Sequence, residues 1–193
     1  KGLYVNLLYY LALRKAIILA QGRGDEKSEE KYRKKAAVLS AKINRYFWHR
    51  GDVDDLLTHL KPSLGTESFT AKGRDSLGRK HILPQKHILK NHSYYLPYLT
   101  FRDFGEWFDS FGNLLAVLTG VAKKNRPLTI EKLFREFDLD KPFPVKSIYP
   151  PIAPGDKDWR YYYEFDNLNI PGNYHNGGIW PFLGGFYVAA LVK

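Results

Sequence analysis

The chain has 193 residues, enough for one domain with a substantial core, and carries a formal net charge of +10. It contains no cysteine, which excludes disulfides, thiolate metal sites and a cysteine nucleophile. Aromatic residues make up 16% of the chain, which is typical either of an aromatic core or of a ring-lined groove such as a sugar-binding cleft.

The basic residues are scattered along the chain, with acidic residues between many of them and no nucleic-acid-binding motif. We therefore expect no nucleic-acid partner; a basic helical nucleic-acid binder is the alternative that salt-dependent binding would reveal. No signal peptide is visible, and the apolar run Leu3–Leu13 is short for a bilayer span and contains Asn6. With the absence of cysteine, these features favour a cytoplasmic protein without a membrane partner.

Apolar periodicity predicts a helical hairpin at the start of the chain. Leu3–Ala20 is apolar nearly all round, which predicts a buried helix, and the glycine-containing segment after it ends that helix. Ser28–His49 has apolar residues at three-to-four spacing and predicts an outer amphipathic helix, with Ser28 as its N-terminal cap.

The remainder of the chain alternates irregular and helical patterns. Residues 51–91 are predicted to be irregular, whereas Phe104–Lys123 and Thr129–Asp138 predict helices. Residues 141–178 predict a long loop, and a loop of that length in a compact domain is usually functional. Ile179–Lys193 predicts a final helix, so the fold class is expected to be all-α.

Two polar motifs in the long loop contain residue types suited to a sugar. In Asp158-Trp159-Arg160 the carboxylate is a candidate general base, the indole can stack on a sugar face, and the guanidinium can bind hydroxyls. The stretch Tyr174-His175-Asn176-Gly177-Gly178-Ile179-Trp180-Pro181 places donors and acceptors beside glycines that allow close backbone approach. Taken alone, the first is more commonly a charged turn, and the second a helix-entry turn.

Together these motifs resemble the C-terminal part of amylo-alpha-1,6-glucosidase-like glycoside hydrolases. They are also similar to the alkaline/neutral invertases, which carry Glu-Trp-Arg and Tyr-His-Asn-Gly-Gly-x-Trp-Pro at a matching separation. Three further segments resemble the same families, whereas residues 51–104 match poorly. Those segments are Tyr4–Arg14, Tyr46–Trp48 and Phe108–Ala116.

The resemblance implies part of an (α/α)6 toroid of the six-hairpin glycosidase type, with residues 1–193 as the C-terminal portion of one incomplete catalytic domain. It implies inverting hydrolysis by two carboxyl groups roughly 6.5–9.5 Å apart, without a cofactor. The histidines show no metal-ligand spacing. The families' general acid lies upstream of the segment matching Leu3–Arg14, so we expect it before Lys1 and expect the isolated chain not to hydrolyse sugars.

Carried over residue by residue, Asp158 matches the general base. The matching substrate-binding positions are Trp159, Arg160, Tyr174, His175, Asn176 and Trp180, with Asp109 and Asn113 as further candidates. Asp158 stands where invertases have glutamate, and its shorter side chain favours a hydrolase of glycogen- or maltooligosaccharide-type α-glucosidic linkages. A sucrose-cleaving invertase and a non-catalytic carbohydrate-binding domain are the alternatives. We expect association with the missing half of the domain or with a second copy, because an incomplete toroid exposes apolar helix faces.

Overall fold

The computed structural model describes residues 2–51, 70–74, 80–84, 91–100, 104–156 and 158–193, with the backbone alone for 70–74 and 80–84. The helices are α1 (Leu3–Gly22), α2 (Glu26–Tyr46), α3 (Ser110–Leu118), α4 (Arg126–Glu136) and α5 (Pro181–Val192), and a 3-10 segment spans Tyr161–Asn167. The strands are β1 (Trp48–Arg50), β2 (Thr70–Arg74), β3 (Lys80–Pro84), β4 (Ser93–Tyr95), β5 (Phe108–Asp109) and β6 (Ile148–Tyr149).

Helices α1 and α2 form the predicted hairpin. The turn between them reverses the chain at Gly24, whose φ of +66° is in the left-handed region that favours glycine. Helix α2 begins two residues before the predicted start, and its cap is Asp25, whose carboxylate accepts a hydrogen bond from the Ser28 N–H at 3.0 Å. The prediction that Ser28 caps this helix is therefore wrong, because Ser28 lies in the first turn and donates to the cap.

One hydrophobic core connects the helices. Helix α1 packs on α2 along one side and on α3 along the other, and α3 packs against α4 and α5. The buried residues of α1 recur at three-to-four spacing, so the helix is buried along one side only, whereas the sequence predicted a helix buried on most sides. The buried side of α1 consists of Leu3, Leu7, Tyr10, Leu13, Ile17 and Ala20, and it meets aromatic residues that include Tyr94, Phe104, Phe108 and Phe134.

The described residues also contain three two-stranded antiparallel ladders, so the all-α prediction needs correction. Strand β1 pairs with β4, β2 with β3, and β5 with β6. The predicted helix Phe104–Lys123 is reduced to α3, because Phe108 and Asp109 are extended and pair with Tyr149 and Ile148. The fold is mostly helical, which is compatible with part of a helical glycosidase domain, and the toroid stays a prediction.

Helix α1 is longer than the apolar run considered in the sequence, since it continues to Gly22. By length and composition alone it could cross a membrane, with a mean hydropathy of 1.4 over its most apolar window. One such helix is weak evidence, because the core helix of a soluble protein passes the same test. The side of α1 turned away from the core exposes apolar residues, among them Val5, Leu8 and Leu19.

Candidate active site

Asn176, at the centre of the Tyr-His-Asn-Gly-Gly motif, holds the long loop together. Its side-chain amide donates hydrogen bonds to the carbonyl oxygens of Ile152 at 2.7 Å and Asn169 at 2.9 Å. The side-chain oxygen Oδ1 of Asn176 accepts a hydrogen bond from the Ile152 N–H at 2.6 Å. The residue is only 3% exposed, so these contacts inside the protein use the polar groups that were predicted to bind a sugar.

The two glycines of the motif are required by the protein's own chain. Gly177 has φ +96°, and a Cβ there would lie 2.9 Å from Pro151 Cγ. A Cβ at Gly178 would meet the backbone of Tyr174, with the amide nitrogen at 2.8 Å. Gly177 is therefore restricted by its backbone conformation and by Pro151, and Gly178 by the turn that brings Tyr174 against it.

That turn brings Tyr174, His175 and Trp180 into one aromatic cluster at the surface. The His175 and Trp180 rings are stacked with centroids 5.5 Å apart, and the Tyr174 ring lies 3.9 Å from His175 and 5.2 Å from Trp180. The Trp180 indole N–H donates to the Tyr174 carbonyl at 2.9 Å, which fixes the tryptophan. Tyr174 is 41% exposed and His175 is also exposed, so the cluster presents aromatic surface to solvent.

Asp158 is half-buried and is oriented by a residue from a distant segment. Its Oδ1 accepts a hydrogen bond from the Tyr98 hydroxyl at 2.8 Å. The Tyr98 ring in turn contacts Trp107, in the segment before β5, at a centroid distance of 5.5 Å. Through Tyr98, the loop that holds Asp158 is therefore connected to that segment. No motif in the sequence pointed to Tyr98, because it lies in the region that resembles the known families poorly.

Trp159 and Arg160 differ in what they can reach. Trp159 is wholly buried and packs edge-on against Tyr163 at 5.3 Å, so its ring has no face open to a sugar in this arrangement. Its indole N–H is also buried and has no hydrogen-bond partner among the described residues. Arg160 is half-buried, and its guanidinium donates to the Trp159 carbonyl at 2.8 Å.

Asp109 and Asn113 lie at the amino end of α3. Asn113 is fully buried, and its side-chain oxygen and amide pair with the N–H and carbonyl of Tyr95 at 2.9 and 3.0 Å, which fastens α3 to β4. The Asp109 carboxylate lies over Gly112. Burial raises the pKa of the Asp109 carboxyl to about 6, and the N–H groups of Gly112 and Phe111 oppose this rise.

Ser147 links the amino end of α3 to the glycine turn. Its carbonyl accepts a hydrogen bond from the Ser110 N–H at 3.1 Å. Its hydroxyl donates to the His175 carbonyl and accepts from the Gly177 N–H, each at 3.1 Å. The region of Asp109 and the aromatic cluster are therefore parts of one hydrogen-bonded structure. Sequence reasoning missed Ser147 because an isolated serine in a loop gives no signal.

The predicted site residues differ in whether the structure places them at the surface or in the interior. Tyr174, His175 and Trp180 are gathered at the surface, and Asp158 is oriented by Tyr98 on the same folded loop. The predicted roles in substrate binding stay predictions for all of these positions. In the part of the chain with described side chains, no group of three His, Asp or Glu residues is placed to hold a metal ion. The side chains that support the others from within are Asn113, Trp159 and Asn176.

Comparison with known proteins supports one of the two families that the sequence resembles. The family model described as "Alkaline and neutral invertase" matches residues 1–193. Alkaline/neutral invertase C, mitochondrial, of Arabidopsis thaliana is 27% identical over 202 residues, covering 99% of this chain and 29% of that protein. Neutral/alkaline invertase 1, mitochondrial, of Oryza sativa subsp. japonica is 26% identical over 201 residues, covering 99% of this chain and 31% of that protein. The chain thus spans about three tenths of the curated relatives that it matches.

These findings correct two expectations. The amylo-alpha-1,6-glucosidase-like identity is not supported, and the inference drawn from the shorter side chain of Asp158 fails with it, since the matched family is the one in which glutamate was expected. The cytoplasmic location is wrong by the same comparison, because the relatives are named as mitochondrial or, for neutral/alkaline invertase 3 of Oryza sativa subsp. japonica, chloroplastic. The absence of cysteine was compatible with a reducing compartment and did not identify one.

Proposed function

Because the chain belongs to the alkaline and neutral invertase family of glycoside hydrolases, we propose that it forms part of the catalytic domain of an enzyme that hydrolyses sucrose. The observation that carries this proposal is the match of the family over residues 1–193. The surface cluster of Tyr174, His175 and Trp180, in which Tyr174 and His175 are exposed, supports it, since aromatic rings open to solvent can stack on the apolar faces of sugars.

In this proposal Asp158 is the general base of an inverting reaction. The Asp158 carboxylate takes a proton from a water molecule, whose oxygen attacks the anomeric carbon of the glucosyl unit while the bond to the fructosyl oxygen breaks. The hydrogen bond from Tyr98 holds the carboxylate in one orientation. A second carboxyl group, from a residue outside the predicted site positions, protonates the leaving oxygen as general acid. Inversion at an α-glucoside yields β-glucose first.

The remaining predicted positions divide into contact and support in this proposal. Tyr174, His175, Trp180 and Arg160 are the candidates for sugar contact. Asn176 keeps the loop folded, and Asn113 keeps α3 attached to β4. Asp109 bears a carboxyl group whose raised pKa leaves it partly protonated near pH 6, so it can donate as well as accept a hydrogen bond.

Tryptophan fluorescence of the chain titrated with sucrose tests the sugar-contact part of the proposal. We expect saturable quenching with sucrose and none with isomaltose, which carries the α-1,6 linkage. His175→Ala removes the ring stacked on Trp180 and should weaken sucrose binding about three- to tenfold, the effect of one aromatic contact. His92→Ala is the matched control, because its imidazole contacts Glu136 and Phe137. Equal effects of the two variants, or preferential binding of isomaltose, would count against the proposal.

A further inference from the structure

A cavity of about 510 Å³ is lined in part by both helices of the hairpin. It lies between α1, α2 and the connection that leads into α4, and it shares no lining residue with the loop that holds Asp158 and the aromatic cluster. Its volume is in the range of sites that enclose a small molecule. Nothing in the proposed hydrolysis uses this cavity, so it requires a separate explanation.

The lining of the cavity is strongly basic. Its charged residues are Arg14, Arg33, Lys123, Lys124 and Arg126, and no acidic residue is among the described residues that line it. Arg33 is paired with Glu29 at 2.6 Å, which offsets one of these charges at the rim. The remaining positive charge converges from α1, from the loop before α4 and from the first residue of α4, so it favours an anion.

Arg126 is held in place as a preorganised donor. Its guanidinium donates to the Asn44 side-chain oxygen and to the Tyr95 hydroxyl, and it stacks 4.5 Å over the Trp48 ring. Asn44 is itself fixed by donating to the carbonyls of Ser40 and Val121, each at 2.9 Å. A guanidinium fixed in this way loses little side-chain entropy when it binds an oxyanion.

Ser40 supplies an independent sign of a ligand. The residue lines the cavity and is only 5% exposed, yet its hydroxyl has no hydrogen-bond partner in the described part of the chain. A buried hydroxyl without a partner reduces stability, so its presence calls for an explanation. The amino end of α4 points the same way: it begins at Arg126 in the cavity lining, no side chain caps it, and the positive end of its dipole favours an anion there.

We propose that this cavity binds a phosphorylated small molecule, with the phosphate held by Arg126, Lys123 and Lys124 and a hydrogen bond from the Ser40 hydroxyl. Phosphate fits these groups because arginine can bind two of its oxygens and lysine supplies a further point charge. The volume leaves room for an organic part about the size of a hexose. The inference stands on the cavity alone and does not rest on the proposed hydrolysis of sucrose.

Isothermal titration calorimetry of the chain with glucose 6-phosphate tests the proposal, at an ionic strength kept constant with sodium chloride. We expect saturable binding of glucose 6-phosphate, weaker saturable binding of inorganic phosphate, and no heat with glucose. A parallel sedimentation assay uses vesicles of phosphatidylcholine containing phosphatidic acid. Binding to the vesicles without a response to either soluble phosphate would overturn the proposal of a soluble ligand, as would the absence of saturation.

Two variants locate the site. Lys123→Gln with Lys124→Gln should weaken glucose 6-phosphate binding at least tenfold, whereas the control Lys31→Gln with Lys35→Gln removes the same charge from α2 outside the cavity and should change affinity less than twofold. An equal loss in both pairs would reveal a general charge effect and overturn the site.

Ser40→Ala should weaken binding about fivefold without lowering the melting temperature, because it removes a hydroxyl that has no partner among the described residues. Unchanged affinity in this variant would overturn the role of Ser40.

Discussion

Asp109 is the residue of the candidate site whose pKa is shifted most clearly by its surroundings. Burial over Gly112 disfavours its charge, and two backbone N–H groups at the start of α3 only partly offset that effect. Its pKa is therefore raised from 3.8 to about 6. A carboxyl group in this state changes charge within the pH range in which enzymes work, which makes its effect on stability measurable.

The pH dependence follows from this shift. The folded pKa lies above the unfolded value, so the contribution of Asp109 to stability is fully present below about pH 3.8 and is lost as the pH rises through about 6. Relative to Asp109→Asn, the unmodified chain should lose about 2 to 3 kcal/mol of unfolding free energy between pH 4 and pH 7. Urea denaturation of both proteins across this range measures the difference. Parallel pH profiles for the two proteins would contradict the assignment.

Two asparagines show how far residue type alone can be interpreted. Asn113 and Asn176 are suited to binding sugar hydroxyls, and the sequence identified both as candidate contacts. In the structure each amide is committed to backbone groups of the protein, Asn113 to Tyr95 and Asn176 to Ile152 and Asn169. A sequence gives the donors and acceptors that a side chain offers, but the partner depends on segments that fold against it.

At the scale of the elements, two glycines on helices have opposite surroundings. A Cβ at Gly112 in α3 would meet the Asp109 carboxylate and would lie 2.8 Å from Leu3 Cδ2, so the close packing of α1 on α3 requires glycine there. A Cβ at Gly185 in α5 would have no neighbour within 4 Å. The same substitution should therefore have opposite effects in the two helices.

We expect Gly112→Ala to lower the unfolding free energy by about 1 to 3 kcal/mol, because it overpacks a buried contact. Gly185→Ala should raise the unfolding free energy by about 0.5 to 1 kcal/mol, because alanine restricts the unfolded chain and favours helix without a clash. Denaturant unfolding of the two variants, with the unmodified chain as reference, gives both values. A loss of stability in Gly185→Ala equal to that in Gly112→Ala would contradict the packing described here.

The helices could be predicted from local sequence patterns, and the strands could not. Helix α2, with its apolar spacing, and helices α1 and α5, with their apolar runs, lie within a few residues of their predicted positions. Strand β5 has only Phe108 and Asp109, and its extended form depends on pairing with β6, far along the chain. For the same reason the predicted helix began too early, at Phe104. The contact between Tyr98 and Asp158 is likewise long-range, and no local pattern indicates it.

At the scale of the whole molecule, exposed apolar residues are most numerous on helices α1 and α5. Val5, Leu8 and Leu19 of α1 are exposed, and so are Val188 and Val192 at the end of α5. Groups of exposed apolar residues on helices are often covered by another element or another chain. The proposal that the chain packs against further parts of a helical domain, or against a second copy, follows from this exposure.

We expect the chain studied alone to associate as its concentration rises, which sedimentation equilibrium measures. Val5→Lys with Leu19→Lys places charge on the exposed face of α1 and should shift association to concentrations at least tenfold higher, since charges are costly to bury. Val38→Lys is the control, because Val38 is also exposed but lies on the outer surface of α2. A monomer at all concentrations would show that these faces do not associate.

We propose that the protein hydrolyses sucrose with inversion and that Asp158 is the general base. Proton NMR of sucrose hydrolysis, by the longest natural polypeptide that carries this sequence, tests it most directly. We predict β-glucose as the first product, and a fall in kcat of about 10²- to 10⁴-fold for Asp158→Asn with KM changed less than about threefold. α-Glucose as the first product, or an Asp158→Asn variant with more than a tenth of the original rate, would contradict the account.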